Sequence, residues 1–162
     1  MHSPLDELIL LGDPRLYEVC EPVSPADDLL IADTVQRLHQ VLMAFRERYQ
    51  AGRAVAAPQI GVMKRIVYLH TGTPVVFLNP ELSDLSEEQM EIWDDCMCFP
   101  NLLVRLRRSR RCTVRFLDLS WQPQAMQLED GLSELLQHEC DHLDGVLAIS
   151  RALDSRSFRW RA

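Results

Sequence analysis

Between Pro25 and Gln50, apolar residues return every three or four positions: Ile31, Val35, Leu38, Leu42, Phe45 and Tyr49. That spacing draws one stripe along a helix, so the segment is predicted to be an amphipathic helix closed by Gly52. The rhythm then changes. "RIVYLH" and "PVVFLNP" are short runs of β-branched and aromatic residues joined by "TGTP", which predicts a hairpin. "LLVRLRRSRRCTVRFLDL" alternates, "SWQPQ" turns, and "AMQLE" follows, so the middle of the chain reads as a meander of antiparallel strands. The helical period returns from about Asp130 to Asp144. There Leu132, Leu135, Leu136, Cys140 and Leu143 make an apolar face, and Gly145 marks the stop. Ahead of the first helix, "GDPRLYEVCEPVSP" is crowded with turn formers and predicts an irregular arm. Strands in the middle and a single helix late suggest an α+β class, not a βαβ repeat.

No linker, internal repeat or low-complexity stretch divides the 162 residues, so one domain over residues 1–162 is expected. At 47% hydrophobic and 25% charged, the chain has apolar material for a core and needs no disulfide scaffold. A formal charge of −7 argues against a general nucleic-acid binder, and no DNA partner is expected. Cys20, Cys96, Cys98, Cys112 and Cys140 are odd in number and irregularly spaced, which suits free or metal-bound thiols in a reducing compartment. "MHSPLDELIL" has no basic region before a long apolar run, and no stretch of ~18 apolar residues occurs. The expectation is a cytoplasmic chain without a membrane partner.

The chemistry concentrates in "LLQHECDHLDG". On a helix, His138 and His142 lie one turn apart on one face, where two imidazoles can converge on a metal, and Glu139 on the adjacent flank can reach a water there. The bland alternative is a chance match on an amphipathic helix. A catalytic centre needs a third protein ligand. Ala148 stands where one protease class places a histidine, and no glutamate follows Glu139. Asp144 and Asp154 remain downstream, with Asp144 awkwardly close on the same helix. Upstream, "WDDCMCFP" offers Cys96 and Cys98, and thiolate suits zinc or ferrous iron. The bland reading of either cysteine is a buried core thiol.

Three ordered motifs carry a resemblance. "HECDH" is similar to the HExDH motif of peptide deformylases, "DDCMCFP" resembles their EGCLSFP, and "GRAVAAPQIGV" resembles their GxGxAAxQ. The early "LGDPRLYEVCEPV" is similar to the family's N-terminal arm, and the likeness runs from about Leu10 to Ile149. It implies antiparallel β-sheets packed around a central metal-binding helix near the C-terminus, with an N-terminal helix. It implies one ferrous iron per chain, replaceable by zinc, nickel or cobalt, on Cys96, His138 and His142. Glu139 would move the proton of the attacking water, and Gln59 with the Met97 N–H would hold the oxyanion. N-formyl-methionyl peptides would be cleaved to formate and a free N-terminal methionine.

The chain departs from the pattern in the segments that the resemblance places along the bound peptide. Arg53 and Ala54 follow Gly52 where an aliphatic residue and a second glycine are usual; Asp94, Asp95 and Cys98 replace glutamate, glycine and serine. Gly52, Arg53, Ala54 and Asp95 are therefore the expected substrate-binding residues. Arg53 and Asp95 are expected within salt-bridge reach across the cleft, narrowing it or selecting a polar substrate, with two solvent-facing side chains as the alternative. Cys98, two residues from Cys96, is expected on the opposite face of a strand. Asp141 is read as orienting an imidazole or an arginine. Where bacterial deformylases often carry a C-terminal helix used at the ribosome, this chain has "SRALDSRSFRWRA". Its arginines, with the run from Arg105 to Arg115, offer a weak ribosomal contact. The competing function is a relative that binds metal and peptide N-termini without efficient catalysis.

Overall fold

The computed structural model describes residues 1–161. The first amphipathic segment forms α1 (Asp28–Tyr49), which buries Ile31, Leu38, Val41, Leu42 and Phe45. Gln50, in the left-handed region, ends it with an N–H bonded to Arg46 O, so the stop comes two residues before Gly52. Strands β1 (Ala54–Ala56), β2 (Ile66–His70), β3 (Pro74–Ser83), β4 (Gln89–Asp95), β5 (Leu102–Ser109), β6 (Arg111–Leu117) and β7 (Pro123–Glu129) follow. Then come α2 (Asp130–Leu143) and the short β8 (Phe158–Trp160). The predicted "TGTP" hairpin joins β2 to β3 in register Ile66 to Leu78.

Two antiparallel sheets form, in the orders β1-β2-β3-β6-β7 and β4-β5-β8. The meander expected from "LLVRLRRSRRCTVRFLDL" is therefore broken: β5 pairs with β4 and β8, and β6 with β3 and β7. Only Arg110 separates β5 from β6, too little for a two-residue hairpin loop. Helix α2 takes up the backbone at the switch, where Ser133 Oγ and Gln137 Nε2 donate to Ser109 O at 2.9 and 2.8 Å.

Period-two alternation assigns the two helices to opposite faces of the large sheet. Val55, Ile66, Tyr68 and Leu78 pack with α1, while Ala54, Ala56, Val67, Leu69 and Phe77 pack with Leu135, Leu136 and Leu143 of α2. A third cluster joins Ile9 and Leu16 of the arm to Cys96, Cys98, Val104 and Leu106 on the small-sheet side. Helix α2 is thus central, with Ser133, His138, Glu139 and His142 buried along with its apolar face. Leu132, expected on that face, is exposed, and the adjacent Ser133 faces inward instead.

Candidate active site

His138 and His142 sit one turn apart on α2, and Cys96 begins the turn that follows β4. Fold closure brings them together: His142 Nε2 lies 3.4 Å from Cys96 Sγ and 3.2 Å from His138 Nε2. All three donor atoms lie within 4.8 Å of one another. Tetrahedral coordination at ordinary metal–nitrogen and metal–sulfur distances separates neighbouring donors by about 3.3–3.6 Å, so these residues fit a divalent metal. Burial pushes the Cys96 thiol well above its ordinary value, so its thiolate calls for a cation beside it. Burial, with the neighbouring His138, holds His142 well below its ordinary value, leaving a neutral imidazole.

Asp94 orients His138. Its carboxylate accepts from His138 Nδ1 at 2.8 Å, which turns Nε2 toward Cys96 and His142. Burial alone would lower His138, but the Asp94 charge overrides it and holds the imidazole at about 9. Asp94 also receives Arg108 Nη2 at 3.1 Å, and Arg108, 3% exposed, donates Nη1 to Asp141 at 2.9 Å. Asp141 in turn binds Arg151 through both carboxylate oxygens. Of the two roles read for Asp141, orienting an arginine is the observed one. Asp94 and Arg108 were missed as site residues. The available signal was that Asp94 lies only two residues before Cys96, at the end of the strand that delivers the thiol.

Glu139 is buried, Oε2 has no hydrogen-bond partner, and burial raises its carboxyl to about 7. Gln59, 1% exposed, receives Ala56 N on Oε1 at 2.8 Å. Its Nε2 faces Cys96 Sγ at 3.7 Å and Cys98 Sγ at 3.5 Å. The Cys98 thiol therefore turns toward the same glutamine as Cys96, against the opposite-face expectation. The reason is local: β4 ends at Asp95, and residues 96–100 form a turn, so strand alternation does not apply. The N-terminal arm braces this region through Ile9 N to Gln59 O and Leu11 N to Cys98 O, both 2.9 Å. The Met97 N–H, in the same turn, makes no hydrogen bond to the protein among the described residues.

A cavity of about 260 Å³ opens beside the three donors. Gly52, Arg53, Ala54, Gln59, Asp95, Cys96, Met97, His138 and Glu139 all line it, with Phe45, Ala51, Asp94 and Leu135. Gly52 adopts φ +109°, where a side chain is strained, and an added Cβ would press on Phe45 and Leu42 at 3.2 and 3.3 Å. Arg53 and Asp95 do not pair with each other. Arg53 Nη2 binds Glu134 Oε1 at 2.5 Å, and Arg161 Nη2 binds Asp95 Oδ2 at 2.6 Å. Each charge has a nearer partner supplied by another element, α2 for Arg53 and the segment after β8 for Asp95. Asp144 and Asp154, the downstream ligand candidates, pair with Arg65 and Arg105. In the arginine run, Arg105, Arg107, Arg110, Arg111 and Arg115 each face a carboxylate.

Comparison with known proteins gives a consistent result. The profile of the family described as Polypeptide deformylase matches residues 5–157. The peptide deformylase of Treponema pallidum (strain Nichols) is 35% identical over 151 residues, covering 93% of this chain and 90% of that protein. Among solved structures, the peptide deformylase from Thermotoga maritima superposes with TM-score 0.81 at 30% identity, covering 91% of this chain and 97% of that one. That from Synechococcus elongatus, in complex with actinonin, gives TM-score 0.84 at 28% identity, covering 91% of this chain and 79% of the other.

Proposed function

The chain belongs to the polypeptide deformylase family, and from that premise we propose that Cys96, His138 and His142 hold its metal and that Glu139 is its general base. It is a metal-dependent hydrolase of N-formyl peptides. A bound divalent metal supplies Lewis acidity, which makes water nucleophilic near neutral pH and polarises the formyl carbonyl.

The chain's own groups do the remaining work. Glu139, raised into the neutral range, takes the proton of the attacking water and returns it to the departing amine. Gln59 Nε2 and the Met97 N–H donate to the carbonyl oxygen as negative charge gathers on it. The Ala56 N bond to Gln59 Oε1 fixes the amide so that Nε2 points at the site. Asp94 holds the His138 ring. The peptide backbone lies along β1, an edge strand whose residue Ala54 lines the cavity, by strand addition. The products are formate and a free N-terminus, methionine for an N-formyl-methionyl substrate. The observation that carries the assignment is Glu139 Oε2, buried beside the donors with no protein partner.

Ferrous iron is the resident metal in this reading, one per chain, with zinc, nickel or cobalt as substitutes; a thiolate with two imidazoles suits such ions. A ribosomal contact is assigned to the basic segments, of which the exposed Arg156 guanidinium has no carboxylate partner among the described residues and that of Arg159 lies over the Trp93 ring, unlike the Arg105–Arg115 run. A cytoplasmic location is supported by five unpaired cysteines. No helix among the described residues is long and apolar enough to cross a membrane.

The test is formate release from formyl-Met-Ala-Ser by iron-loaded protein, with Glu139→Ala as control. The variant is expected to retain its metal and to lose about a hundredfold or more in rate. Equal rates in the two proteins would remove Glu139 from the mechanism. No formate from either, with metal bound, would favour a peptide-binding role instead.

A further inference from the structure

Next to the cavity beside the three donors lies a second one, of about 650 Å³, that the proposed chemistry does not use. Arg46, Gln50, Gly52, Arg53, His70 and Thr71 line it. Ala51, Gly52 and Arg53 line both cavities, so the two adjoin where α1 gives way to β1. Their charge differs. Asp94, Asp95 and Glu139 line the cavity beside the donors, whereas no aspartate or glutamate lines the second.

The positive charge of the second cavity rests on Arg46. Its Nε donates to Gly52 O at 2.7 Å and its Nη2 to His70 O, so the guanidinium ties the end of α1 to the start of β1 and the end of β2. Its Nη1 donates to His70 Nδ1 at 3.4 Å. All of these acceptors are neutral, and Arg46 forms no ion pair with a carboxylate among the described residues. Three of the five guanidinium N–H donors are thus used and two are left. An acceptor Nδ1 puts the His70 proton on Nε2, which has no protein partner among the described residues. Arg53 differs, because Glu134 takes up its charge at 2.5 Å. A partly buried cation with spare donors and no counter-ion suits an anion from outside the chain.

The direction of the substrate decides which anion reaches it. Gln59, beside Cys96, follows the C-terminal end of the edge strand β1, and Arg53 precedes its N-terminal end. A peptide added to this edge with its formyl group at the donors therefore runs antiparallel to β1, away from Gln59 and toward Gly52. Its first residue fills the cavity beside the donors. Each further residue advances the chain by about 3.4 Å, so the second and third residues pass Arg53 and Gly52 and reach the second cavity. We propose that Arg46 makes this cavity a subsite for an acidic side chain at the second or third residue of an N-formyl-methionyl peptide. This rests on the deformylase reading above and narrows its substrate class, with methionine kept as the first residue. A carboxylate there accepts from the two spare guanidinium N–H groups and from His70 Nε2, while a lysine ammonium meets an uncompensated like charge.

The experiment measures kcat/KM for formate release by the metal-loaded full chain from two peptide pairs. One is formyl-Met-Glu-Ala-Ser against formyl-Met-Gln-Ala-Ser, the other formyl-Met-Ala-Glu-Ser against formyl-Met-Ala-Gln-Ser. All carry a C-terminal amide, so that the side chain is the only carboxylate. In at least one pair the glutamate peptide is expected to lead by about fivefold, through a lower KM at similar kcat, and the lead is expected to shrink at high salt. Lysine at the same position is expected to fall below glutamine. Arg46→Gln, checked by circular dichroism and metal content, is expected to bring glutamate level with glutamine. Arg46→Lys, which keeps the charge and gives up the fork, is expected to retain part of the preference. The salt dependence of the unmodified protein tests the charge without any variant. Formate release with no glutamate preference in either pair overturns the proposal and keeps the deformylase reading. A glutamate preference undiminished by salt, or surviving in folded Arg46→Gln, also overturns it. No formate from any peptide, with metal bound, overturns the deformylase reading and this proposal together.

Discussion

At the scale of single residues, the centre depends on side chains that hold the donors as well as on the donors themselves. Asp94 fixes which nitrogen of His138 faces the metal position. Asp94→Ala is expected to weaken metal retention by about 10–100-fold, read by chelator competition, because the ring loses its orientation. Arg108 is buried between Asp94 and Asp141. Arg108→Met is expected to cost about 3–5 kcal/mol in denaturant unfolding, since it takes a buried cation from the Asp94 carboxylate and leaves it His138 alone, while Asp141 keeps Arg151. His138, Glu139 and His142 could be read from spacing, because i and i+4 on a helix share a face whatever surrounds them. Arg108 could not, because it looked like one more charge in an arginine run, and Asp94 stood out only as a departure from a motif and not as a partner of His138.

At the scale of elements, the helices follow their apolar periods and the strand pairings do not. Each helix is specified by neighbours three and four residues away, so α1 and α2 fall where the stripe puts them, to within a few residues. A strand period states which face a residue is on, yet β5 and β6, one residue apart, join different sheets. The end of α2 shows how closely the arm packs. Gly145 has φ +71°, and an added Cβ would fall 2.5 Å from Tyr17 O. Gly145→Ala is expected to destabilise the fold by about 2 kcal/mol or more, seen as a lower urea midpoint, because rigid backbone has to shift as well as the φ angle. Ser133→Ala is expected to cost about 1–3 kcal/mol by the same measurement, since it leaves Ser109 O one donor short where the chain changes sheets.

At the scale of the whole molecule, α2 lies between the two sheets and carries two of the candidate metal donors, His138 and His142, together with part of the core. Metal occupancy and global stability should therefore move together. Stripping the metal with a chelator is expected to lower Tm, and adding ferrous iron or zinc back to restore it. At a hundredfold excess over Kd the coupling amounts to about 2.7 kcal/mol, measurable by calorimetry. Unchanged Tm in a protein shown to have lost its metal would uncouple the site from the fold.

What the chain determines by itself is local and periodic. It specifies two amphipathic helices, a hairpin at "TGTP", and two histidines and a glutamate on one turn; Cys96 as the third donor was implied only by the resemblance. Tertiary structure alone decided the partners of the charged residues around the cleft. Arg53 meets Glu134 across 81 positions, Asp95 meets Arg161 across 66, and His138 meets Asp94 across 44. The physical reason is one of range. Helix and strand periods are set by neighbours a few bonds away, but a surface charge takes whichever opposite charge the packed elements bring nearest. Here that tied Arg53, which lines the cavity beside the donors, to Glu134 of α2 rather than to Asp95.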